Sequence, residues 1–297
     1  MTDTSGDAGA GEAAAGFTIL IPALNEERGI RAVLTDLGVV LERAARPWEI
    51  LVVDDGSADT TAAVAASFGA RVVRHDVNLG YGASLKTGIR RARYDRIVIT
   101  DADATYPTAC VLELVEGLDE VDMVVAARTS RPLHAPWHRR ATKWCLRKLA
   151  ERLAGVHIPD LNSGLRSFRK STILDYLHLL PSGFSFTTTV TLAYHADSRL
   201  VRYVSVGDQP REGLSKLQPV RDTYRFVFLI LRTVMYFDPM RVFMPPALAS
   251  LLATVLTLGY EVLWRQNLAE KSLIWLMITA FFFSAALLGD LIVKRGR

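Results

Sequence analysis

The sequence contains very little cysteine, and Cys110 and Cys145 are the only thiols among its 297 residues. Two cysteines without paired-ligand spacing exclude a cysteine-ligated zinc site and the disulfide framework of a small secreted domain. The six histidines also lack a spacing typical of metal ligands, and we assign them no catalytic role. We expect two reduced cytoplasmic thiols and a site built from other residue types.

An apolar run is missing from the first 16 residues, which are mostly Gly, Ala, Ser, Thr, Asp and Glu. A signal peptide needs a hydrophobic centre, so this stretch is not expected to be one. Its composition favours a disordered tail instead. We therefore expect the domain that begins at about residue 17 to stay in the cytoplasm.

Acidic residues are scarce in two stretches, although the formal net charge of the chain is only +4. Between Arg131 and Lys170 ten Lys or Arg face two acids, and from Arg199 to Arg241 eight face four. Such stretches favour an anionic partner, either a phosphate-bearing lipid, a membrane surface or a nucleic acid; the alternative is a solvated basic face. No platform of stacking aromatic residues accompanies them, so nucleic-acid binding is not expected.

What the chain has instead is an alternation of apolar strands and amphipathic helices. The predicted strands lie at residues 17–21, 49–53, 70–74, 96–100, 123–127 and 200–206. The predicted helices lie at residues 27–43, 58–68 and 82–91, and from about 108, with a helix-rich insertion at 132–195 that includes a basic helix at 137–153. This order predicts an α/β fold with a mainly parallel, Rossmann-like sheet, whose ligands bind at the carboxyl ends of the strands.

Two long uncharged runs follow, of nineteen residues at 242–260 and eighteen at 272–289, with a polar link at 261–271. A helix rises about 1.5 Å per residue, so each run approaches the roughly 30 Å thickness of membrane hydrocarbon. We predict a transmembrane hairpin of two helices within 242–297, preceded by amphipathic interface helices at 221–241. Two buried core helices are the alternative.

Basic residues flank the predicted hairpin on its outer sides. Arg241 precedes the first span, and Lys294, Arg295 and Arg297 follow the second. Because basic flanks favour the cytoplasmic side, we expect both ends of the hairpin, and the α/β domain with them, to lie on the cytoplasmic side of the cell membrane.

Carboxylates collect where predicted strands end. Asp101 and Asp103 directly follow one strand, with Ala102 between them. Two carboxylates at this spacing can hold a hard divalent cation that also takes oxygens from a diphosphate. The alternative is that they cap the next helix, but Pro107 at its start makes Thr105 the more natural cap.

Two further predicted strands end in polar residues. One runs into Asp54, which would face the ligand crevice and accept hydrogen bonds from a nucleotide base or ribose. Gly56 allows a tight turn there, and Ser57 or Asp59 could cap the following helix. The first strand ends in the segment Pro22-Ala23-Leu24-Asn25-Glu26-Glu27.

These three strand ends together resemble the pattern of glycosyltransferase family 2. The chain is similar to the polyprenyl-phosphate glycosyltransferases of that family, close in type to dolichol-phosphate mannose and glucose synthases, over about residues 17–220. The further matches are Asn78-Leu79-Gly80-Tyr81-Gly82-Ala83, Arg128, Asp160 with Ser163-Gly164-Leu165-Arg166, and Arg211-Glu212-Gly213-Leu214-Ser215-Lys216.

The resemblance implies a GT-A fold and inverting transfer of a hexose, from a nucleotide diphosphate sugar of the GDP-mannose or UDP-glucose type to a polyprenyl phosphate. Asp101 and Asp103 would bind Mg²⁺ or Mn²⁺, and Arg128 with Arg139 or Arg140 would receive the acceptor phosphate. The nucleotide sugar would contact Pro22, Ala23, Asn25, Glu26, Asp54, Asp101, Ala102, Asp103, Arg211, Ser215 and Lys216. Asp103, Arg128 and Arg211 would be the catalytic residues.

Two positions depart from the family pattern. Thr105 stands where relatives often have Gln, which leaves the third metal ligand open, and residues 184–190 are rich in Thr where many relatives place a Glu, which leaves substrate preference open. A saccharide acceptor with Asp160 as general base, or a nucleotide-sugar-binding scaffold without turnover, are the alternative functions. The sequence also leaves the oligomeric state open, a homo-oligomer included.

Overall fold

The structure is a computed structural model that describes residues 16–128, 144, 147–152, 155–183, 185–207, 219–265 and 270–295, with only the backbone for 219–226 and 264–265. Of the predicted basic helix, residues 144 and 147–152 are described, and they are helical. Five predicted site residues lie outside the described residues: Arg139, Arg140, Arg211, Ser215 and Lys216.

Seven strands form one mixed sheet. They are β1 (Phe17–Ala23), β2 (Trp48–Asp54), β3 (Arg71–Arg74), β4 (Arg96–Ile99), β5 (Met123–Arg128), β6 (Arg166–Arg169) and β7 (Val201–Val206). Their order is β3-β2-β1-β4-β6-β5-β7, and every neighbouring pair is parallel except the two that involve β6. The prediction of a mainly parallel α/β sheet is confirmed.

Helices cover both faces of this sheet. They are α1 (Glu27–Leu41), α2 (Thr61–Ser67), α3 (Tyr81–Arg91), α4 (Val111–Gly117, preceded by a 3₁₀ turn at Thr108–Cys110), α5 (Lys170–Tyr176) and α6 (Phe186–Ala196). Side chains alternate along a strand, so Ile19 and Ile21 pack with α1 and α4 on one face. Leu20 packs with α3, α5 and α6 on the other.

Strand β6 falls within residues 132–195, so the prediction of a helix-rich insertion was wrong at residues 166–169. The sequence Arg-Ser-Phe-Arg gives no strand signal because Arg166 and Ser167 are polar although both are fully buried. β6 runs antiparallel between β4 and β5, and Arg166 pairs with Ile99 at the end of β4. Residues 160–165, which lead into β6, are thereby brought to the carboxyl end of β4.

Three long helices follow the sheet in the sequence: α7 (Pro219–Phe237), α8 (Pro239–Tyr260) and α9 (Glu270–Arg295). The segments Pro239–Leu263 and Glu270–Arg295 are long and apolar enough to cross a membrane, and their apolar side chains are mostly exposed. The two helices pack together, and Thr279 Oγ1 donates a hydrogen bond of 3.0 Å to Ser250 Oγ. They could therefore form a transmembrane hairpin.

Helix α8, the first of the two helices long enough to cross a membrane, starts earlier than residue 242. Asp238 caps α8 by accepting the N–H of Arg241, so Arg241 lies in the first turn of the helix rather than before it. Helix α7 packs against the sheet domain through Phe237, which joins the apolar cluster around Leu20, and through a second apolar cluster. That cluster contains Ala150, Ile158, Leu192, Ile230 and Val234.

Candidate active site

The strand register brings the predicted site segments to one edge of the sheet. Ala23 at the end of β1 pairs with Asp54 at the end of β2. Beyond the strands, the Asn25 N–H donates to Ser57 Oγ at 2.9 Å, and the Ala58 N–H donates to Asn25 Oδ1 at 2.8 Å. Asn25 has a φ of 54°, a left-handed conformation that asparagine tolerates better than most residues.

The residues after β1 differ in their exposure. Pro22 and Ala23 are buried, whereas Asn25 is exposed and Glu26 is intermediate. The backbone N–H of Glu26 donates to Thr61 Oγ1 at 2.9 Å, which ties this turn to the start of α2. The turn is therefore held mainly through its backbone.

Asp54 lies at the end of β2 and is buried in the structure. Its side chain is 0% exposed, its Oδ1 accepts the Ser57 N–H at 3.1 Å, and its Oδ2 lies 3.2 Å from Arg74 Nε. It is buried because the following turn folds back over it, a tertiary effect that strand-end spacing does not reveal.

Asp55 holds the neighbouring loop in place. Its Oδ1 lies 2.7 Å from His75 Nδ1 and accepts the Leu79 N–H, while its Oδ2 accepts the Gly80 N–H. Burial alone would raise the pKa of Asp55, but these hydrogen bonds outweigh it and the pKa lies below its usual value. An ionised Asp55 therefore fixes the loop that carries Tyr81.

Asp101 and Asp103 follow β4 directly. The Tyr81 hydroxyl donates to Asp101 Oδ1 at 2.9 Å, and burial together with the Asp101 charge raises the pKa of Tyr81 well above its usual value. Thr105 Oγ1 donates to Asp103 Oδ1 at 2.6 Å. The prediction that Thr105 caps the next helix was wrong, since Thr105 orients Asp103 instead and no side chain caps the turn at Thr108–Cys110.

The two aspartates fit a divalent cation by the chemistry of their donors. Both carry hard carboxylate oxygens, and both are only partly buried. Within the part of the chain that the structure describes, no group of three or more His, Cys, Asp or Glu side chains is close enough to bind a metal ion. Asp101 and Asp103 would thus supply two ligands, and a bound diphosphate or water would supply the others.

Two glycines pack directly against this acidic segment. A Cβ added to Gly29 in α1 would lie 2.3 Å from the Ala102 carbonyl oxygen, and one added to Gly164 would lie 2.3 Å from Asp101 Oδ2. Real Cβ atoms essentially never approach other atoms so closely. Gly29 must therefore be glycine for the backbone at Ala102 to keep its place, and a side chain at position 164 would displace the Asp101 carboxylate.

Replacing Gly29 by alanine should destabilise the protein by about 1–3 kcal/mol, because the new methyl group meets backbone that cannot turn aside. Gly38 lies on the same helix with nothing within 4 Å of an added Cβ. Gly38→Ala should stabilise by about 0.5–1 kcal/mol, because alanine is the better helix former. Thermal unfolding of both variants checks the pair; a Gly29→Ala midpoint equal to that of wild type would contradict the packing argument.

On the other side of the site, Arg128 ends β5 and pairs with Asp160. Its Nε donates to Asp160 Oδ2 at 2.9 Å, and its guanidinium carbon lies 5.4 Å from the centre of the Tyr106 ring. Burial alone would raise the pKa of Asp160, but Arg128 and the N–H of Asn162 outweigh it and the pKa lies below its usual value. Asp160 is therefore an ionised partner of Arg128.

Arg166 lies beneath this loop and is 0% exposed. Its Nε donates to the Ser163 carbonyl at 3.0 Å, and its Nη1 donates to the Thr187 carbonyl and to Thr191 Oγ1. Burial lowers the pKa of Arg166. Together these bonds tie residues 160–165 to α6.

The threonine side chains of α6 point into the protein interior. Thr187, Thr188, Thr189 and Thr191 are all buried, and the first two donate to Asn162 Oδ1 at 2.9 and 3.1 Å. They support the loop before β6 and do not line an open surface.

Sequence reasoning gave no role to Gly29, Tyr81, Tyr106 and Arg166. Tyr81 and Arg166 belong to two of the motifs that resemble the family pattern, so the sequence indicated their place near the site but not their contacts. Gly29 and Tyr106 gave none, because a glycine in a helix and a tyrosine before Pro107 are common in any fold.

The fold resembles that of a known enzyme structure. Glucosyl-3-phosphoglycerate synthase of Mycobacterium tuberculosis, in complex with Mn²⁺, UDP and glucosyl-3-phosphoglycerate, matches with a TM-score of 0.58 and 21% sequence identity. The match covers 79% of this chain and 85% of that chain. At this identity the likeness shows the fold alone, and it confirms the predicted GT-A type of α/β fold.

The family follows from the sequence comparison. Residues 18–177 match the family model described as Glycosyl transferase family 2, which is more than half of the chain, so this chain belongs to that family. The undecaprenyl-phosphate 4-deoxy-4-formamido-L-arabinose transferase of Pseudomonas fluorescens is 30% identical over 197 residues, 61% of this chain and 57% of that protein. The chain thus spans little more than half the length of that relative.

The name of a second relative also refers to a polyprenyl phosphate. The dodecaprenyl-phosphate galacturonate synthase of Rhizobium johnstonii is 27% identical over 229 residues, which are 74% of this chain and 67% of that protein. The resemblance to polyprenyl-phosphate sugar transferases that the motifs indicated is confirmed.

Proposed function

We propose that this chain transfers a hexose, with inversion, from a nucleotide diphosphate sugar of the GDP-mannose or UDP-glucose type to a polyprenyl phosphate. The observation that carries the proposal is that the acidic pair, Asp101 and Asp103, and a stacked arginine, Arg128, lie beside the same loop at residues 160–165. The acidic pair suits a metal-bound diphosphate, and the arginine suits a second phosphate. The names of the relatives support a lipid acceptor.

On the donor side, Asp101 and Asp103 would hold Mg²⁺ or Mn²⁺, which when bound supplies positive charge to the leaving diphosphate. The chain fixes the two carboxylates beforehand, Asp101 through Tyr81 and Asp103 through Thr105. Such fixed charges cost little reorganisation during the reaction.

The remaining donor contacts come from the resemblance. Pro22, Ala23, Asn25, Glu26 and Asp54 would surround the nucleotide with Ala102, and Arg211, Ser215 and Lys216 would reach phosphate oxygens. A fixed turn at Asn25 and Glu26 supports this assignment, because it presents one shape to the nucleotide.

On the acceptor side, Arg128 with Arg139 or Arg140 would receive the lipid phosphate. A phosphate monoester has a second pKa of about 6, so the acceptor oxygen is already an anion at neutral pH and needs no general base. Asp160 would be a poor base for a sugar hydroxyl, because Arg128 holds its pKa below the usual value. This argues for a phosphate acceptor over a saccharide.

The two apolar helices would anchor the enzyme as a hairpin in the cytoplasmic membrane, with the sheet domain on the cytoplasmic side. Helix α7 would lie in the membrane interface, since its apolar side chains Phe228 and Met235 are exposed. This arrangement would keep the site on the side of the membrane from which a lipid acceptor could reach it.

Arg128→Lys should raise the KM for polyprenyl phosphate by about tenfold, because lysine lacks the planar fork that binds two phosphate oxygens. Arg202 on β7 is the control, since its side chain is 37% exposed against 38% for Arg128 and is also in an ion pair. Arg202→Lys should leave the KM within about twofold, as for other exposed ion pairs. Steady-state kinetics with varied lipid decide; equal KM values in the two variants would argue against a phosphate contact at Arg128.

The proposed function is tested with the purified chain in detergent, labelled nucleotide sugars, Mg²⁺ or Mn²⁺, and polyprenyl phosphate, followed by organic extraction. We expect label from one donor to enter the organic phase only when the lipid is present, and to disappear with EDTA. Label in a water-soluble saccharide would support the saccharide acceptor instead, and binding of a donor without transfer would support a scaffold.

A further inference from the structure

We propose that Tyr106 is a positioning residue that serves both sides of the site, joining the acceptor arginine Arg128 to the metal-binding aspartate Asp101. The proposal rests on the proposed function and adds a residue to which the family pattern gave no role. Tyr106 lies between Asp103 and Pro107 and is only 6% exposed. It lies inside the site and does not line its surface.

The ring of Tyr106 acts toward the acceptor side. The guanidinium carbon of Arg128 lies 5.4 Å from the ring centre, a cation–π distance. Asp160 holds the same guanidinium by its Nε at 2.9 Å. The ring and Asp160 thus hold Arg128 from two directions, which leaves its planar fork in a defined position for a phosphate.

The hydroxyl of Tyr106 acts toward the metal side. It accepts the backbone N–H of Gly164 at 2.7 Å, and both residues are buried. Burial raises the pKa of Tyr106, so the hydroxyl stays neutral. Gly164 in turn lies against Asp101, because a Cβ added to it would be 2.3 Å from Asp101 Oδ2. A shift of Gly164 would therefore be transmitted to the Asp101 carboxylate.

Two substitutions separate these roles. Tyr106→Phe keeps the ring beneath Arg128 but leaves the buried Gly164 N–H without its acceptor, whereas Tyr106→Leu removes the ring as well. The control is Tyr94, which is also 6% exposed and has Arg93 at 5.5 Å from its ring centre, before the amino end of β4. Tyr94→Phe removes a hydroxyl at a comparable depth away from the site.

Two properties of the full chain in detergent are measured: the Mn²⁺ concentration needed for half-maximal binding of UDP or GDP by calorimetry, and the KM for polyprenyl phosphate. Tyr106→Phe should need about tenfold more Mn²⁺ with the KM within about twofold, because it loses only the hydroxyl contacts, to Gly164 and Ser163, and keeps the ring beneath Arg128. Tyr106→Leu should show the same defect and also raise the KM about fivefold, because Arg128 loses its aromatic face. Tyr94→Phe should change neither property.

A second route avoids Tyr106 altogether. Gly164→Ala presses a methyl group onto Asp101 and leaves the ring and Arg128 in place, so it should reproduce the Mn²⁺ defect without raising the KM. This variant keeps the test decisive if Tyr106→Leu does not fold.

Wild-type Mn²⁺ dependence in Tyr106→Phe would overturn the proposal. So would a lower kcat in both variants with unchanged KM and Mn²⁺ dependence, since a residue that only supports the fold does not separate the two measurements. If wild-type protein binds nucleotide with Mn²⁺ but forms no lipid product, the proposed function fails while the nucleotide titration still decides the metal side. If wild-type protein binds no nucleotide, both fail.

Discussion

Replacing Asp103 by asparagine should lower the rate of lipid-linked product formation by about a thousandfold. In the proposed reaction the positive charge of the metal would be the main stabilisation of the leaving diphosphate, and Asp103 would hold that metal. Asparagine keeps an oxygen that can accept the Thr105 hydroxyl, so the fold should be retained. Metal-dependent binding of UDP or GDP should weaken in parallel. The organic-extraction assay and nucleotide titration at several Mn²⁺ concentrations measure the two effects.

Asp36 provides the matched control for this substitution. It lies on the exposed side of α1, away from the strand ends. Asp36→Asn makes the same chemical change and should leave rate and metal dependence within about twofold, as exposed substitutions usually do. A variant at Asp103 that kept the wild-type rate and EDTA sensitivity would remove Asp103 from the metal site.

Replacing Arg166 by methionine should destabilise the protein by about 3 kcal/mol, because three buried acceptors each lose a hydrogen bond from the guanidinium. These acceptors are the Ser163 carbonyl, the Thr187 carbonyl and Thr191 Oγ1. For a domain of this size the thermal midpoint should fall by about 10 °C.

Arg169 on the same strand is the control for Arg166. It is partly exposed, it donates to the Leu118 carbonyl, and it lies near Asp95. Arg169→Met should cost about 1 kcal/mol, since water can replace most of these contacts. Equal losses of unfolding free energy at the two positions would show that the buried hydrogen bonds of Arg166 stabilise the protein no more than the partly exposed contacts of Arg169.

Strong local periodicity made most of the fold predictable. The strands predicted at residues 17–21, 49–53 and 96–100 are mostly apolar and, apart from Glu49, buried on both faces, so most of their residues carry the same signal. β6 could not be predicted because its two buried faces contain an arginine and a serine, whose polar groups are satisfied by α4, α6 and the preceding loop. Such compensation depends on residues far away in the sequence.

The site was predictable only in part, for a similar reason. Spacing after a strand located Asp101 and Asp103 correctly at the edge of the sheet, because parallel strands end together. It could not tell that Asp54 is buried under its own turn, or that Thr105 binds Asp103 instead of capping a helix. These outcomes depend on distances of a few ångströms between side chains.

The central place of β6 also sets an order for biosynthesis. As the chain is made from its amino end, β1 to β4 are complete before residues 166–169 exist, and β4 then has an open edge with Ile97, Val98 and Ile99. Apolar edge strands associate with other chains, so a chain stopped before residue 166 should be prone to aggregation. The acidic pair is thus made early, yet the loop that contacts Asp101 is made about sixty residues later. One continuous segment, residues 160–169, therefore fills the open edge of β4 and completes the surroundings of the acidic pair.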